Sequence, residues 1–129
     1  MKSLYTISIS IILFATVITP AQDAKRIQFA KGKSSAVVSG ATGAYGNSYV
    51  VRAHSGQKIV LKLTPASGVG IKVETAGSDG QQVLLREERG GTYEVGLEES
   101  GDYTIFIGST TGRSVNYTLT VSIVKMTDI

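Results

Sequence analysis

Hydrophobic and polar residues alternate with a period of two along most of the chain beyond residue 22, which predicts β-strands. The last such segment, residues 116–123, is the most regular. It carries Tyr117, Leu119, Val121 and Ile123 on one face and Asn, Thr and Ser on the other. Because successive side chains point to opposite sides of a strand, each segment is expected to bury one face and expose the other. The same alternation occurs at 49–54, 58–63, 71–74 and 103–107, and more weakly at 26–30, 35–39, 82–86 and 92–95.

Glycine-containing turns separate the predicted strands, and no window of ten residues combines a helical stripe with helix caps. Ser55-Gly56 lies between two strong strands and predicts a tight hairpin. Residues 108–114 join the last two strands, which predicts a second hairpin there. Short, evenly spaced strands with glycine turns predict an all-β fold, a single antiparallel β-sandwich of about eight short strands spanning residues 22–129.

The first 21 residues have the pattern of a secretory signal peptide. Lys2 gives a short positive segment, residues 4–18 are uncharged and mostly apolar, and small residues precede the expected cleavage after Ala21. The alternative is an uncleaved membrane anchor, but this run of 15 residues is shorter than the roughly 20 that cross a bilayer. We therefore divide the chain into a cleavable signal peptide, residues 1–21, and one domain, residues 22–129. The mature protein is expected to be periplasmic or secreted, without a membrane span.

The amino-acid composition excludes several kinds of chemical site in this domain. The 129 residues include no cysteine and one histidine, which excludes disulfides, cysteine-ligated metal sites, a thiol nucleophile and any site needing two imidazoles. The formal charge is +3, of which Lys2 contributes one, so the mature chain gives no reason to expect a nucleic-acid partner. Export without cysteine is more typical of a bacterial periplasm or exterior than of a small secreted eukaryotic domain.

No arrangement of residues typical of an enzyme is present in the sequence. His54 falls on the polar side of a strand beside a turn, and no G-x-S-x-G nucleophile motif accompanies it. Carboxylates occur at 87–88 and within 94–102, but they lie beside glycines and arginines, as surface charges do. Calcium-loop and phosphate-loop motifs are also absent. We expect a protein that is not an enzyme and that uses no metal ion or cofactor.

Two glycine-rich loops remain as candidate binding elements. Residues 40–47 contain Tyr45 and Asn47, and a loop tyrosine supplies a large rigid contact at low entropic cost. Residues 108–114 contain Thr111 and Arg113, and arginine forms bidentate pairs with carboxylates, which suits an acidic target. The alternatives are a tyrosine that folds back onto the sheet edge and an arginine that is merely solvated.

Several segments resemble the bacterial inhibitors of g-type (goose-type) lysozyme. Phe29 to Ser35 matches that family's F-x-K-G-x-S-S opening, and Ser39-Gly40 followed by Tyr45 resembles its S-G-x-x-x-G-Y segment. Further similarity at residues 49–57, 100–105 and 116–121 extends the resemblance over most of the mature chain. The last two of these segments also resemble pre-peptidase C-terminal domains, which are β-sandwiches attached to secreted proteases.

The resemblance implies a β-sandwich that binds g-type lysozyme as a protein partner and blocks its sugar-binding cleft. By motif position, Tyr45 corresponds to the family's loop tyrosine and Arg113 lies in its late basic loop. We predict that these two residues contact the partner, together with Asn47 and Thr111 in the same loops. An alternative function is a binding or stability module like the pre-peptidase domains, which contacts cell-wall polysaccharide through an exposed aromatic ring. Phe106, on the outward face of its strand, is the nearest candidate for that ring.

Overall fold

The computed structural model describes residues 24–77 and 80–126, which fold into two β-sheets packed face to face. The described residues form nine strands: β1 (Lys25–Arg26), β2 (Ser35–Ala41), β3 (Asn47–Ala53), β4 (Gln57–Thr64), β5 (Val69–Gly77), β6 (Gly80–Glu87), β7 (Gly91–Gly96), β8 (Gly101–Ser109) and β9 (Asn116–Lys125). The β-sandwich predicted from the alternation of residues is therefore confirmed.

The strands divide into a larger and a smaller sheet. Sheet A has five described strands in the order β1-β3-β8-β5-β6, and sheet B has four in the order β2-β9-β4-β7. Among these strands, β1 and β3 pair in parallel at Lys25–Tyr49 and Arg26–Val50, and every other pair is antiparallel. The two sheets cover each other's inward faces, so the outward faces of both remain open to solvent.

The inward-facing residues of both sheets form one hydrophobic core. Strand β9 contributes Tyr117, Leu119, Val121 and Ile123, as its alternation predicts. Sheet A contributes, among others, Tyr49, Val51, Ala53, Tyr103, Ile105 and Ile107. Burying a large aliphatic side chain is worth about 1.5–3 kcal/mol relative to leaving it exposed. The core therefore holds the sheets together and fixes the frame on which the loops are mounted.

Two of the strand connections differ from the sequence prediction. Ser55-Gly56 does not form a hairpin, because β3 belongs to sheet A and β4 to sheet B. The loop after Ser109 likewise crosses from β8 in sheet A to β9 in sheet B. Among the described strands, β5 and β6 are the one consecutive pair whose members hydrogen-bond to each other. Alternation indicates which face of a strand is buried. It does not distinguish a hairpin from a crossover, because both connections can bury the same face of each strand.

The first strand is shorter than its alternation predicts. The ladder covers Lys25–Arg26 rather than residues 26–30, and after Ile27 N donates to Val50 O at 2.8 Å the chain leaves sheet A for β2. The predicted signal peptide, residues 1–21, and the turn at residues 78–79 lie outside the described residues. In the part of the chain that is described, no helix has the length and apolar character needed to cross a membrane.

Candidate functional site

The two candidate loops lie side by side at one end of the sandwich. Residues 42–46 connect β2 to β3, and residues 110–115 connect β8 to β9. Thr42 N donates to Val115 O at 2.9 Å, and Val115 N donates to Thr42 Oγ1 at 3.0 Å. Gly43 N adds a third link by donating to Ser114 Oγ at 3.0 Å across 71 residues of sequence. Because both loops cross between the sheets at the same end, residues distant in sequence form one continuous surface.

Tyr45 projects from the β2–β3 loop with 76% of its surface exposed. Gly46 N donates to Thr42 O at 2.8 Å, which closes the loop into a single turn. Gly43 and Gly46 have φ angles of 60° and 78°, in the left-handed region that glycine adopts without strain. The tyrosine ring is therefore held out to solvent and does not fold back onto the sheet edge.

The β8–β9 loop is shaped by its own hydroxyl groups. Ser109 Oγ accepts hydrogen bonds from Thr111 N at 3.1 Å and from Gly112 N at 3.2 Å. Thr111 Oγ1 in turn accepts from Arg113 N at 3.2 Å. Such side-chain to backbone bonds stabilise tight turns. Arg113 is exposed, and among the described residues no carboxylate oxygen lies within 4.0 Å of its guanidinium group.

Asn47 is half-buried at the base of the β2–β3 loop. Its Nδ2 donates to Ala41 O at 2.8 Å and to the Tyr117 hydroxyl at 2.8 Å. Ala41 ends β2 in sheet B and Asn47 begins β3 in sheet A, so this amide closes the neck of the loop. A side-chain amide has two N–H groups, and both are used here. Asn47 therefore positions the loop, whereas its direct contact with a partner stays a prediction, as does that of Thr111.

The Tyr117 hydroxyl is the centre of a polar network that the sequence reasoning missed. It lies 2.6 Å from the Tyr49 hydroxyl and 2.8 Å from Asn47 Nδ2, and so joins β9 in sheet B to β3 in sheet A. Burial, reinforced by the hydrogen bond to Tyr117, raises the pKa of Tyr49 well above its usual range, so this hydroxyl stays neutral. The sequence does contain a signal for this network, because a tyrosine predicted to face inward needs a hydrogen-bond partner for its hydroxyl.

Thr42 is a further residue of the candidate site that the sequence does not single out. It is 2% exposed, and its backbone and hydroxyl both bond to Val115. Within the loop sequence it is a lone β-branched residue among small ones, a weak signal. Thr42 can join the two loops only because Val115 lies next to it, and the local sequence around Thr42 does not predict that contact.

The remaining sequence candidates lie apart from this end of the molecule or form no site. His54 is exposed at the far end of β3, where its backbone N–H donates to Gln57 Oε1 at 2.7 Å. Within residues 24–77 and 80–126, no three His, Asp or Glu side chains are grouped so that they could hold a metal ion. Phe106 faces outward from sheet A, as predicted, and is half-buried.

Neither a protein-family model nor a curated protein sequence matches the chain. Among solved structures, the fold is similar to the periplasmic inhibitor of g-type lysozyme from Aeromonas hydrophila, with 27% identity and a TM-score of 0.68 over 78% of this chain and 95% of that one. The corresponding Salmonella Typhimurium inhibitor is 24% identical, with a TM-score of 0.60 over 78% of this chain and 99% of that one. A pre-peptidase C-terminal domain of Bacillus anthracis collagenase is 16% identical, with a TM-score of 0.52 over 78% and 94%. These similarities confirm that the chain resembles the inhibitors of g-type lysozyme.

Proposed function

We propose that this protein inhibits g-type lysozyme by binding the enzyme through the loops that carry Tyr45 and Arg113. The observation that carries the proposal is the likeness to the Aeromonas hydrophila inhibitor, which is 27% identical and matched over 95% of its length. The pre-peptidase domain is less similar in both identity and TM-score. Because a fold hosts many functions, the chemistry of the loop surface has to support the same conclusion.

The loop surface is well suited to docking because little of it needs to be ordered on binding. Three hydrogen bonds of 2.9–3.0 Å join the two loops, and the Asn47 amide fixes the neck of the first. Association costs free energy for each side chain and loop that becomes immobilised, and a pre-ordered surface reduces this cost. A small contact area presented this way is compatible with useful affinity.

Tyr45 and Arg113 supply the contacts that a glycosidase cleft would accept. Glycoside hydrolases place a pair of carboxyl groups beside the scissile bond. Arg113 has no carboxylate partner among the described residues, so its guanidinium fork is available for a bidentate pair with such a group. The Tyr45 ring combines an apolar face with a polar hydroxyl, which suits a subsite that normally holds a sugar. The inhibitor then acts by occlusion, and no covalent step is involved.

We place the protein in the periplasm or outside the cell. The pattern of residues 1–21 supports this placement, and the similar inhibitors from Aeromonas hydrophila and Salmonella Typhimurium are periplasmic. Expression of the full chain followed by fractionation tests it. We expect a periplasmic or secreted product whose N-terminal residue, determined by mass spectrometry, is Gln22. A full-length product retained in the membrane fraction would contradict the placement.

A cell-wall lysis assay tests the inhibition itself. The purified exported protein is titrated in parallel against g-type, c-type and invertebrate-type lysozymes. We expect inhibition of the g-type enzyme alone. Replacing both Tyr45 and Arg113 with alanine should weaken that inhibition by more than about tenfold, because buried Tyr and Arg contacts dominate interface energetics.

Lys125→Ala provides the matched control. Lys125 is an exposed cation at the end of β9 opposite to the two loops, so its loss should leave inhibition unchanged. Unchanged inhibition by the Tyr45 and Arg113 double variant would refute the assignment of the surface. Failure of the wild-type protein to inhibit any lysozyme would refute the proposed function.

A further inference from the structure

A groove of about 420 Å³ lies on the outward face of sheet A and reaches the β8–β9 loop at Thr110. This volume falls within the range of about 300–1,000 Å³ that is usual for small-ligand sites. Strands β5, β6 and β8 form its floor and sides, and its lining includes Gly70, Lys72, Arg86, Glu87, Phe106 and Thr110. Neither Tyr45 nor Arg113 lines the groove, so binding of a ligand there does not require the two residues proposed to contact lysozyme.

The Phe106 ring is fixed in place by two glycines. If position 108 carried a Cβ atom, that atom would lie 2.8 Å from the Phe106 ring. A Cβ atom at position 46 would lie 2.5 Å from the ring and 2.6 Å from Ile107 O. Gly108 lies two residues along the same face of β8, and Gly46 directly precedes β3 on the neighbouring strand. The ring therefore packs closely against bare backbone at these two positions, and Phe106 as a whole stays half-buried.

The polar groups around the ring are of both signs. Arg86, Glu87 and Glu88 are exposed, and none has an ion-pair partner within 4.0 Å among the described residues. Lys72 pairs with Glu74 at 3.0 Å, and its ammonium group is 5.7 Å from the Phe106 ring centre, near the outer limit of about 6 Å for a cation–π contact. The groove thus offers donors and acceptors together and no excess of either charge.

We propose that this groove binds a chain of pyranose sugars. The polarised C–H groups on one face of a pyranose are attracted to the negative face of an aromatic ring, and Phe106 presents such a face. Sugar hydroxyl groups donate and accept hydrogen bonds, which matches the carboxylates of Glu87 and Glu88 and the guanidinium group of Arg86. A phosphate ligand would favour an excess of cations, which the balanced lining does not provide.

The groove extends beyond the ring towards the β8–β9 loop. A Cβ atom at Gly70 would lie 3.0 Å from Glu87 O and 3.3 Å from the Thr110 methyl group, so glycine at this position lets Glu87 and Thr110 approach the β5 backbone closely at this end of the groove. The groove then runs from Phe106 to Thr110 along the outward face of the sheet. A chain of rings can lie along this path with one ring on Phe106 and the next beside Glu87 and Glu88.

Nuclear magnetic resonance titration of the exported protein tests the site without any lysozyme present. The probes are tetra-N-acetylchitotetraose and cellotetraose, each added to ¹⁵N-labelled protein. We expect saturable amide shifts at Gly70, Phe106, Gly108 and Thr110 with at least one sugar. Absence of saturable shifts with both sugars overturns the proposal. Saturable shifts in the groove with a short Lys- and Glu-containing peptide but with neither sugar overturn it as well.

Variants of Phe106 test whether the aromatic ring itself binds the sugar or only packs over the two glycines. Phe106→Leu keeps an apolar side chain over Gly46 and Gly108 but removes the aromatic face, and Phe106→Tyr keeps that face. We expect loss of the saturable shifts in the first variant and their retention in the second. Wild-type binding by a folded Phe106→Leu protein would overturn the proposal. Because lysozyme inhibition is measured separately, failure of one proposal is distinguishable from failure of the other.

Discussion

Removing the hydroxyl of Tyr117 is the perturbation that tests the organisation of the loop surface most directly. Tyr117→Phe retains the buried ring, which is 3% exposed, and deletes one oxygen atom. That oxygen is within hydrogen-bonding distance of the Tyr49 hydroxyl at 2.6 Å and of Asn47 Nδ2 at 2.8 Å. The variant therefore breaks two bonds that connect the sheets directly below the Tyr45 loop, with little change in packing.

The expected loss of stability follows from which groups are left without a partner. A buried hydrogen bond contributes about 0.5–1.5 kcal/mol net, and an unsatisfied buried polar group costs about 1–3 kcal/mol. Tyr49 is 5% exposed and its hydroxyl has no other partner among the described residues, whereas Asn47 is half-buried and keeps its bond to Ala41 O. We expect Tyr117→Phe to lower the free energy of unfolding by about 2–3 kcal/mol.

Tyr49→Phe is the matched control, because it also deletes one hydroxyl from a buried tyrosine. It breaks the bond to Tyr117 but leaves the bond between Tyr117 and Asn47. Its cost should be about 1 kcal/mol. Both single variants break the same hydrogen bond between the two hydroxyl groups. The double variant loses that bond only once, so its loss of stability should be smaller than the sum of the two single losses by about 1 kcal/mol.

Urea unfolding of the four proteins measures these differences, and amide relaxation of residues 43–46 reports the order of the loop. Tyr117→Phe should increase the motion of the loop and weaken lysozyme inhibition more than Tyr49→Phe does. Equal stability losses in the two single variants, or full additivity in the double variant, would refute the central position of the Tyr117 hydroxyl.

Two further predictions concern Gly46 and the ion pair that anchors the first strand. Gly46→Ala should cost more stability in urea unfolding than Gly43→Ala by about 1–3 kcal/mol, because both have positive φ but only position 46 would clash with Phe106; equal losses would contradict the packing of the ring. The hydrogen bond from Arg26 holds the pKa of Asp102 below its usual range, so this pair contributes stability above the unfolded-state pKa of about 3.9 and loses it as the pH falls further. Asp102→Asn should accordingly lower the melting temperature slightly at pH 7 and by less at pH 2; the same difference at both pH values would argue against it.

The sequence predicts the buried faces of the strands well because alternation is a local property. Tyr49, Val51 and Ala53 in β3 and Ile59, Leu61 and Leu63 in β4 are all buried, as their spacing indicates. In a hairpin these two sets would lie on one face of one sheet. Here they lie on opposite sheets, because Gln57 N donates to His54 O and Gly56 N to Leu97 O, which turns the chain across the core. The bond to Leu97 depends on the position of the β7–β8 loop, and the alternation contains no information about that position.

The candidate site shows the same division between local and non-local information. Tyr45 and Arg113 could be selected from the sequence because residue type and glycine-rich surroundings are visible locally. The links from Thr42 to Val115 and from Gly43 to Ser114 could not, since they require two crossovers to end at the same edge of the sandwich. The loop position of Asn47 predicts a contact residue, yet its amide donates to Ala41 O and to the Tyr117 hydroxyl. Asn47 thus supports the loop through contacts that its local sequence does not reveal.

Gly46 links the two proposed binding surfaces, so variants at other positions are needed to tell their contributions apart. It directly follows Tyr45, and the Phe106 ring lies against it. A side chain at position 46 would therefore displace the ring and distort the turn together, so Gly46→Ala should impair lysozyme inhibition and sugar binding alike. Arg113→Ala removes a contact of the first surface only, and Glu87→Gln a contact of the second only. If the two surfaces are separate, these last two variants must each fail in one assay and pass in the other.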